Sequence, residues 1–166
     1  MVTLQDKKSD PALAALVDIV NSLKDPADAG PGVVLTVGGL VISGEVIPNW
    51  LWSQAVQEAH REARFKLGEN VRREAQGWEI LFENLRDQFV SRRDEIDATR
   101  EILDNLPERY QTAILETDET TYIHLKDAKV YSPGQGPFPA NGMYWRGQLS
   151  AITGWSFGLL SEVQDN

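Results

Sequence analysis

The sequence predicts an α+β fold: an N-terminal helix and a small five-stranded antiparallel open barrel, with a helical insertion between strands two and three. Three observations predict it. Two β-branched runs flank Gly38-Gly39. From Asn49 to about Leu106 apolar residues return at offsets of three and four, the period of a helix. From Thr121 to Leu160 (TYIHLKDAKVYSPGQGPFPANGMYWRGQLSAITGWSFGLL) aromatic and β-branched residues alternate between Gly/Pro punctuation, the pattern of strands.

The composition bounds what such a fold can do. A chain of 166 residues suits one domain, and an apolar fraction of 42% is enough for a core. Its parts are 1–32, helix and loop; 33–48, β-hairpin; 49–110, helical insertion; and 120–161, strands. The net charge of −9 repels duplex nucleic acid and anionic bilayers on average. With no cysteine, disulfides, thiol catalysis and thiolate metal sites are excluded, which suits the cytosol. The start, MVTLQDKKSDPALAALVDIV, lacks the basic start followed by an unbroken apolar run of a signal peptide: its two lysines are offset by aspartates and its apolar positions are interrupted. The longest apolar stretch, Val33–Val46, is too short and too polar to cross a bilayer. A cytoplasmic protein with no membrane partner is expected.

The first helix opens at Asp10-Pro11, an N-cap followed by a proline at the first helical position. Leu13, Leu16, Val17 and Val20 then form one apolar stripe, read as a lid on a core, with Lys24 near its end. DPADAGPG, residues 25–32, is a loop by composition. Strand one runs over Val33–Val37 and strand two over Leu40–Ile47, joined by a Gly-Gly pair able to take the positive φ angles of a tight turn. Gly44 inside strand two predicts a bulge or sharp bend, and Pro48 ends the ladder.

Asn49 caps the next helix from Trp50, with Ala55, Ala59 and Ala63 along it and a weak point at Gly68. Trp78, Leu81, Phe82, Leu85 and Phe89 mark the apolar face of the following helix; Ile96, Leu103 and Leu106 continue it and Pro107 stops it. Ten of the sixteen basic residues lie between Arg61 and Arg109, interleaved with thirteen acidic ones between Glu58 and Glu108. Interleaved signs on a helix read as a solvated face rather than a nucleic-acid patch. The acidic loop Glu116–Thr120 leads into strand three, Thr121–Tyr131, whose alternation sets Tyr122, His124, Lys126 and Ala128 on one side. A Gly/Pro loop (132–142) follows. Strand four, about Met143–Ile152, and strand five, about Trp155–Leu160, are read as a hairpin turning at Thr153-Gly154. Gly44, Gly147 and Gly158 fall where a small barrel needs curvature.

No catalytic signature is present. His60 reads as a surface residue and His124 as a strand histidine; phosphate loops, His-Glu-x-x-His and Gly-x-Ser-x-Gly are absent, and the carboxylates are scattered over helix faces. No catalytic residue, cofactor or metal is expected, and the chain is read as a non-enzyme. Aromatic side chains are the surplus. Trp50, Trp52 and Phe138 leave two readings open, cover for the sheet or a protein interface. With Tyr144, Trp145, Arg146 and Trp155 they form the candidate protein-interaction set.

The order of helix, hairpin and further strands resembles an Sm-like or SH3-like barrel, and Arg146-Gly147 is a loose match to the Arg-Gly dipeptide near the end of the Sm fourth strand. The Asp–aromatic–Met–Asn run that should follow strand two is absent, so RNA binding does not carry over. A second resemblance is more specific. Ile123-His124-Leu125-Lys126-Asp127-Ala128-Lys129-Val130-Tyr131, then Tyr144-Trp145-Arg146-Gly147-Gln148-Leu149, then Gly154-Trp155-Ser156-Phe157-Gly158 resemble blocks of the gas vesicle accessory protein GvpU family. The hairpin Leu35-Thr36-Val37 to Val41-Ile42-Ser43-Gly44 resembles that family's N-terminal block, while the helical middle is longer and richer in Arg and Glu. The resemblance implies a non-enzymatic, gas vesicle-associated cytoplasmic protein that contacts shell or other accessory proteins and influences vesicle assembly or clustering. Self-association into a homo-oligomer through sheet edges is expected. The rival readings are an Sm-like nucleic-acid binder and a generic oligomeric scaffold or chaperone-like adaptor.

Overall fold

The computed structural model describes residues 8–25, 27, 30–65, 69–104 and 120–160. The expected break at Gly68, the stop at Pro107 and the acidic loop before Thr120 lie outside these residues. The elements in chain order are α1 (Pro11–Asn21), β1 (Gly32–Val37), β2 (Leu40–Val46), α2 (Asn49–Phe65), α3 (Glu69–Leu103), β3 (Tyr122–Tyr131), β4 (Phe138–Gln148) and β5 (Ile152–Phe157). The five strands form one antiparallel sheet in the order β4-β3-β2-β1-β5.

Helix α1 begins as its sequence dictates. The Asp10 carboxylate accepts the N–H groups of Ala12 and Leu13, both at 2.9 Å, and Pro11 occupies a position that has no intrahelical N–H to lose. The stripe Leu13, Val17 and Val20 is buried against Val33, Leu35, Ile42, Val46, Ile123, Leu125, Ala128 and Leu149. This first face of the sheet is the main core. Each such side chain removed from water contributes about 1.5–3 kcal/mol, so the stripe fixes which face α1 covers.

The hairpin β1–β2 closes at Val37 opposite Leu40, and Gly38 and Gly39 take φ of 58° and 83°. At Gly44 the pairing of β2 with β3 slips between Ser43 and Glu45, the irregularity expected there. A Cβ on Gly44 would sit 3.0 Å from the Ala128 Cα and the Lys126 carbonyl oxygen, so the strands approach this closely only because the side chain is missing.

Two expectations for the later strands are corrected. Asp127 has φ of 50° and the β3–β4 register shifts between Leu125 and Ala128, so Ala128 joins Ile123 and Leu125 on the core face instead of His124. One extra residue in a strand reverses the phase of every side chain after it. The second correction concerns the last two strands. Thr153 and Gly154 lie inside β5; a 3₁₀ turn at Leu149–Ala151 connects β4 to β5. The two strands are not a hairpin but the opposite edges of the sheet, which is not closed.

Helices α2 and α3 run antiparallel, tied by Ser53 donating to the Phe82 carbonyl at 2.8 Å and Gln57 donating to the Glu79 carbonyl at 3.3 Å. They lie against the second face of the sheet, where Trp52 and Phe89 meet the His124 ring. Helix α3 is 35 residues long, roughly 52 Å at 1.5 Å per residue. Its apolar face is only partly used. Phe82, Leu85 and Phe89 are half-buried, but Trp78 is 56% and Leu81 52% exposed. Trp78 and Leu81 precede the ring contacts made by Phe82 and Phe89, and this earlier part of the helical stripe stays open to solvent.

Candidate functional site

The expected interaction residues separate into three places. Trp50 and Trp52, at the start of α2, are 7% and 9% exposed. They belong to the interior, which corrects their placement on a free interface. Trp50 is locked by its indole N–H, which donates to the Leu23 carbonyl at 2.9 Å and joins α2 to the end of α1. The Asn21 side chain accepts the Asn49 N–H at 2.9 Å beside it, and the Asn49 side chain accepts the Trp50 N–H at 2.8 Å. Trp145 and Trp155 are half-buried and rest on the margin of the core. Phe138, Tyr144 and Arg146 are exposed along β4.

Trp145 owes its position to Gly147. The two lie on the same side of β4, and a Cβ on Gly147 would fall inside the Trp145 ring. The Arg-Gly dipeptide therefore has a packing reason: the glycine gives the indole a flat seat, and the arginine, one residue earlier, points to the other face.

That second face carries the most unusual group of side chains in the molecule. Arg146 stands opposite His124 in the β3–β4 register. Its guanidinium carbon lies 3.9 Å from the Tyr122 ring centroid and 5.6 Å from that of Trp52. The His124 ring is 4.9 Å from Trp52 and 6.2 Å from Phe89, while Phe82 meets Trp52 edge-on at 6.1 Å. An aromatic cluster from α2, α3 and β3 thus lines one side of a solvent-exposed cation. Cation–π contacts of this kind contribute about 0.5–1 kcal/mol at exposed sites, and they hold the planar group in one orientation.

The electrostatics are one-sided. His124 is 2% exposed, and among the described residues neither of its ring nitrogens has a hydrogen-bond partner; the Trp52 indole N–H beside it has none either. Burial, and to a smaller extent the positive charge of Arg146, together lower the His124 pKa from 6.5 to about 3. His124 is neutral at ordinary pH. Among the described residues no carboxylate is hydrogen-bonded to its ring. Nearby, Lys126 pairs with Glu45 at 3.2 Å across β2 and β3, so its charge is engaged. Among the described residues no carboxylate pairs with Arg146.

Opposite this cluster the same face is crossed by the segment after β5. The Leu160 N–H donates to Ser43 Oγ at 2.9 Å and Tyr131 donates to the Leu160 carbonyl at 3.0 Å. Phe157 and Leu159 stay more than 60% exposed.

Tyr122, Phe82 and Phe89 were not singled out for this site from sequence. The alternation placed Tyr122 and His124 together, but the register that sets them beside Arg146 is a property of the pairing of two strands. Among the described residues no three His, Cys, Asp or Glu side chains are grouped to hold a metal ion, and no helix is long and apolar enough to cross a membrane.

A family model described as gas vesicle protein GvpU-like matches residues 74–160, just over half of the chain. The matched span takes in most of α3 together with β3, β4 and β5, and leaves out the β1–β2 hairpin. The helical middle therefore belongs to the shared pattern to a greater extent than the sequence blocks imply. No curated protein and no solved structure matches the chain.

Proposed function

The chain belongs to the GvpU-like family of gas vesicle proteins, and from that premise we propose that it is a non-enzymatic accessory protein. In this reading it is cytoplasmic, binds shell or other accessory proteins of the gas vesicle, and influences how vesicles assemble or cluster. The family match carries the proposal. The exposed Phe138, Tyr144 and Arg146 on one edge strand support it, because Tyr and Arg with a second aromatic are the residue types that dominate binding energy at protein interfaces.

The strand order β5-β1-β2-β3-β4 behind an N-terminal helix supports reading the sheet as an open Sm-like or SH3-like barrel with α2 and α3 inserted. Its two free edges support a homo-oligomer as the working form, and several copies in one particle suit the bridging of many vesicles. Co-flotation tests the proposal. Protein mixed with purified gas vesicles is expected to rise with them, and replacing Phe138 and Tyr144 together by Ser is expected to reduce the bound fraction. Wild-type protein that stays in the subnatant, with or without the other accessory proteins, overturns the reading.

A further inference from the structure

Arg146 raises a question that folding alone does not answer. Its guanidinium is exposed, its flat face is covered by the Tyr122 ring at 3.9 Å, and among the described residues no carboxylate pairs with it. A chain with 25 Asp and Glu against 16 Lys and Arg has carboxylates in excess, yet none of those among the described residues serves this cation. An arginine whose face is stacked keeps its N–H edge free, and that edge matches the two oxygens of a carboxylate.

A second observation is independent of the first. Among the described residues β4, 11 residues long, pairs only with β3, so its outer edge presents main-chain donors and acceptors that no described strand uses. Tyr144, two residues before Arg146, shows its ring on the same side of this edge strand.

We propose that β4 is a docking edge for an extended segment of a partner protein, which adds to the sheet as a sixth strand and places an Asp or Glu side chain on the free edge of Arg146. Main-chain pairing supplies the affinity and the carboxylate on Arg146 sets the register, the division of labour found wherever a peptide extends a sheet. A carboxylate fits better than a phosphate, because the neighbouring Lys126 already serves Glu45 and leaves Arg146 to match a single charge. The inference rests on the reading of the chain as a protein-binding accessory protein and names the chemistry of that contact.

The test uses the full chain, labelled for NMR, and three capped pentapeptides: Thr-Val-Glu-Val-Thr, the same with Gln for Glu, and the same with phosphoserine for Glu. The Glu peptide is expected to shift the β4 amides and the Arg146 side-chain resonance, and to bind about tenfold more tightly than the Gln peptide, as befits one charge-assisted pair. Arg146→Gln is expected to erase that preference. Arg146→Lys, which keeps the charge but not the fork, should retain part of it. Equal binding of the Glu and Gln peptides, no binding by either, shifts confined to other strands, or tighter binding of the phosphoserine peptide would each overturn the proposal. If any of these occurs while wild-type protein still floats with vesicles, the accessory reading stands and only the docking edge is lost.

Discussion

The Trp52 and His124 rings lie 4.9 Å apart and tilted by 47°, and this contact is where the helical hairpin meets the sheet. Both rings are buried, and neither the Trp52 indole N–H nor the two His124 nitrogens has a hydrogen-bond partner among the described residues. The joint is therefore held by ring packing, against the cost of unsatisfied polar atoms.

That cost makes stability sensitive to acid. In the folded state His124 takes a proton only near pH 3, whereas in the unfolded chain it does so near 6.5. Between these values the unfolded state binds the extra proton, so stability is level above about pH 6.5 and is lost as pH falls through the window below it. The slope from this one group approaches about 1.4 kcal/mol per pH unit in mid-window. Urea midpoints measured from pH 7.5 to pH 4.5, compared with those of His124→Met, isolate it from the carboxylates. Parallel curves for the two proteins would show that His124 does not contribute.

At pH 7.5 His124→Met is expected to stabilise the protein by about 1–2 kcal/mol, since an apolar side chain of similar size removes two unsatisfied nitrogens. Equilibrium denaturation checks this. A loss of more than about 1 kcal/mol, well outside what a repacked apolar swap should cost, would mean that His124 makes a polar contact of real value.

Gly147→Val should destabilise by about 1–3 kcal/mol, the range for overpacking, because its side chain takes the seat of the Trp145 indole. The near-ultraviolet circular dichroism should weaken at the same time. Gly136→Val is the control, as a Cβ there meets nothing within 4 Å.

Leu35→Ala, in the centre of the core, is expected to cost about 2–5 kcal/mol, whereas Trp78→Ala should change stability by less than about 0.5 kcal/mol. A large loss from Trp78→Ala would place α3 closer to the sheet than its exposure indicates.

Self-association through free edges can be tested at β5, whose residues Ile152–Phe157 carry no charge. Light scattering at tens of micromolar should give a mass above that of one chain, and Ser156→Lys should lower it. A monomeric mass in both proteins would remove edge pairing at β5 from the picture.

Much of the architecture was legible in sequence because local chemistry decided it. Asp10-Pro11 set the start of α1, Gly38-Gly39 set the first hairpin, Gly44 announced an irregular strand, and the offsets from Trp78 to Phe89 announced a helix. Each of these signals acts within a few residues, through a cap, a φ angle or one turn of periodicity, so no distant partner is needed to read it. The charge balance and the missing cysteines were equally legible, and the blocks around His124, Arg146 and Trp155 carried the resemblance to the family.

What only the tertiary structure decided is where those elements meet. The bulge at Asp127 turned Ala128 into the core, which alternation alone could not foresee. β4 and β5 are neighbours in sequence yet occupy opposite edges of the sheet, because the 3₁₀ turn carries the chain across rather than back. Trp50 and Trp52 look like spare aromatics until α1, α3 and the sheet close around them, and Trp78 sits on the apolar stripe of α3 yet stays exposed. Burial and pairing depend on surfaces contributed by residues far apart in the chain. For the same reason the Tyr122–Arg146 stack exists only once β3 and β4 are in register.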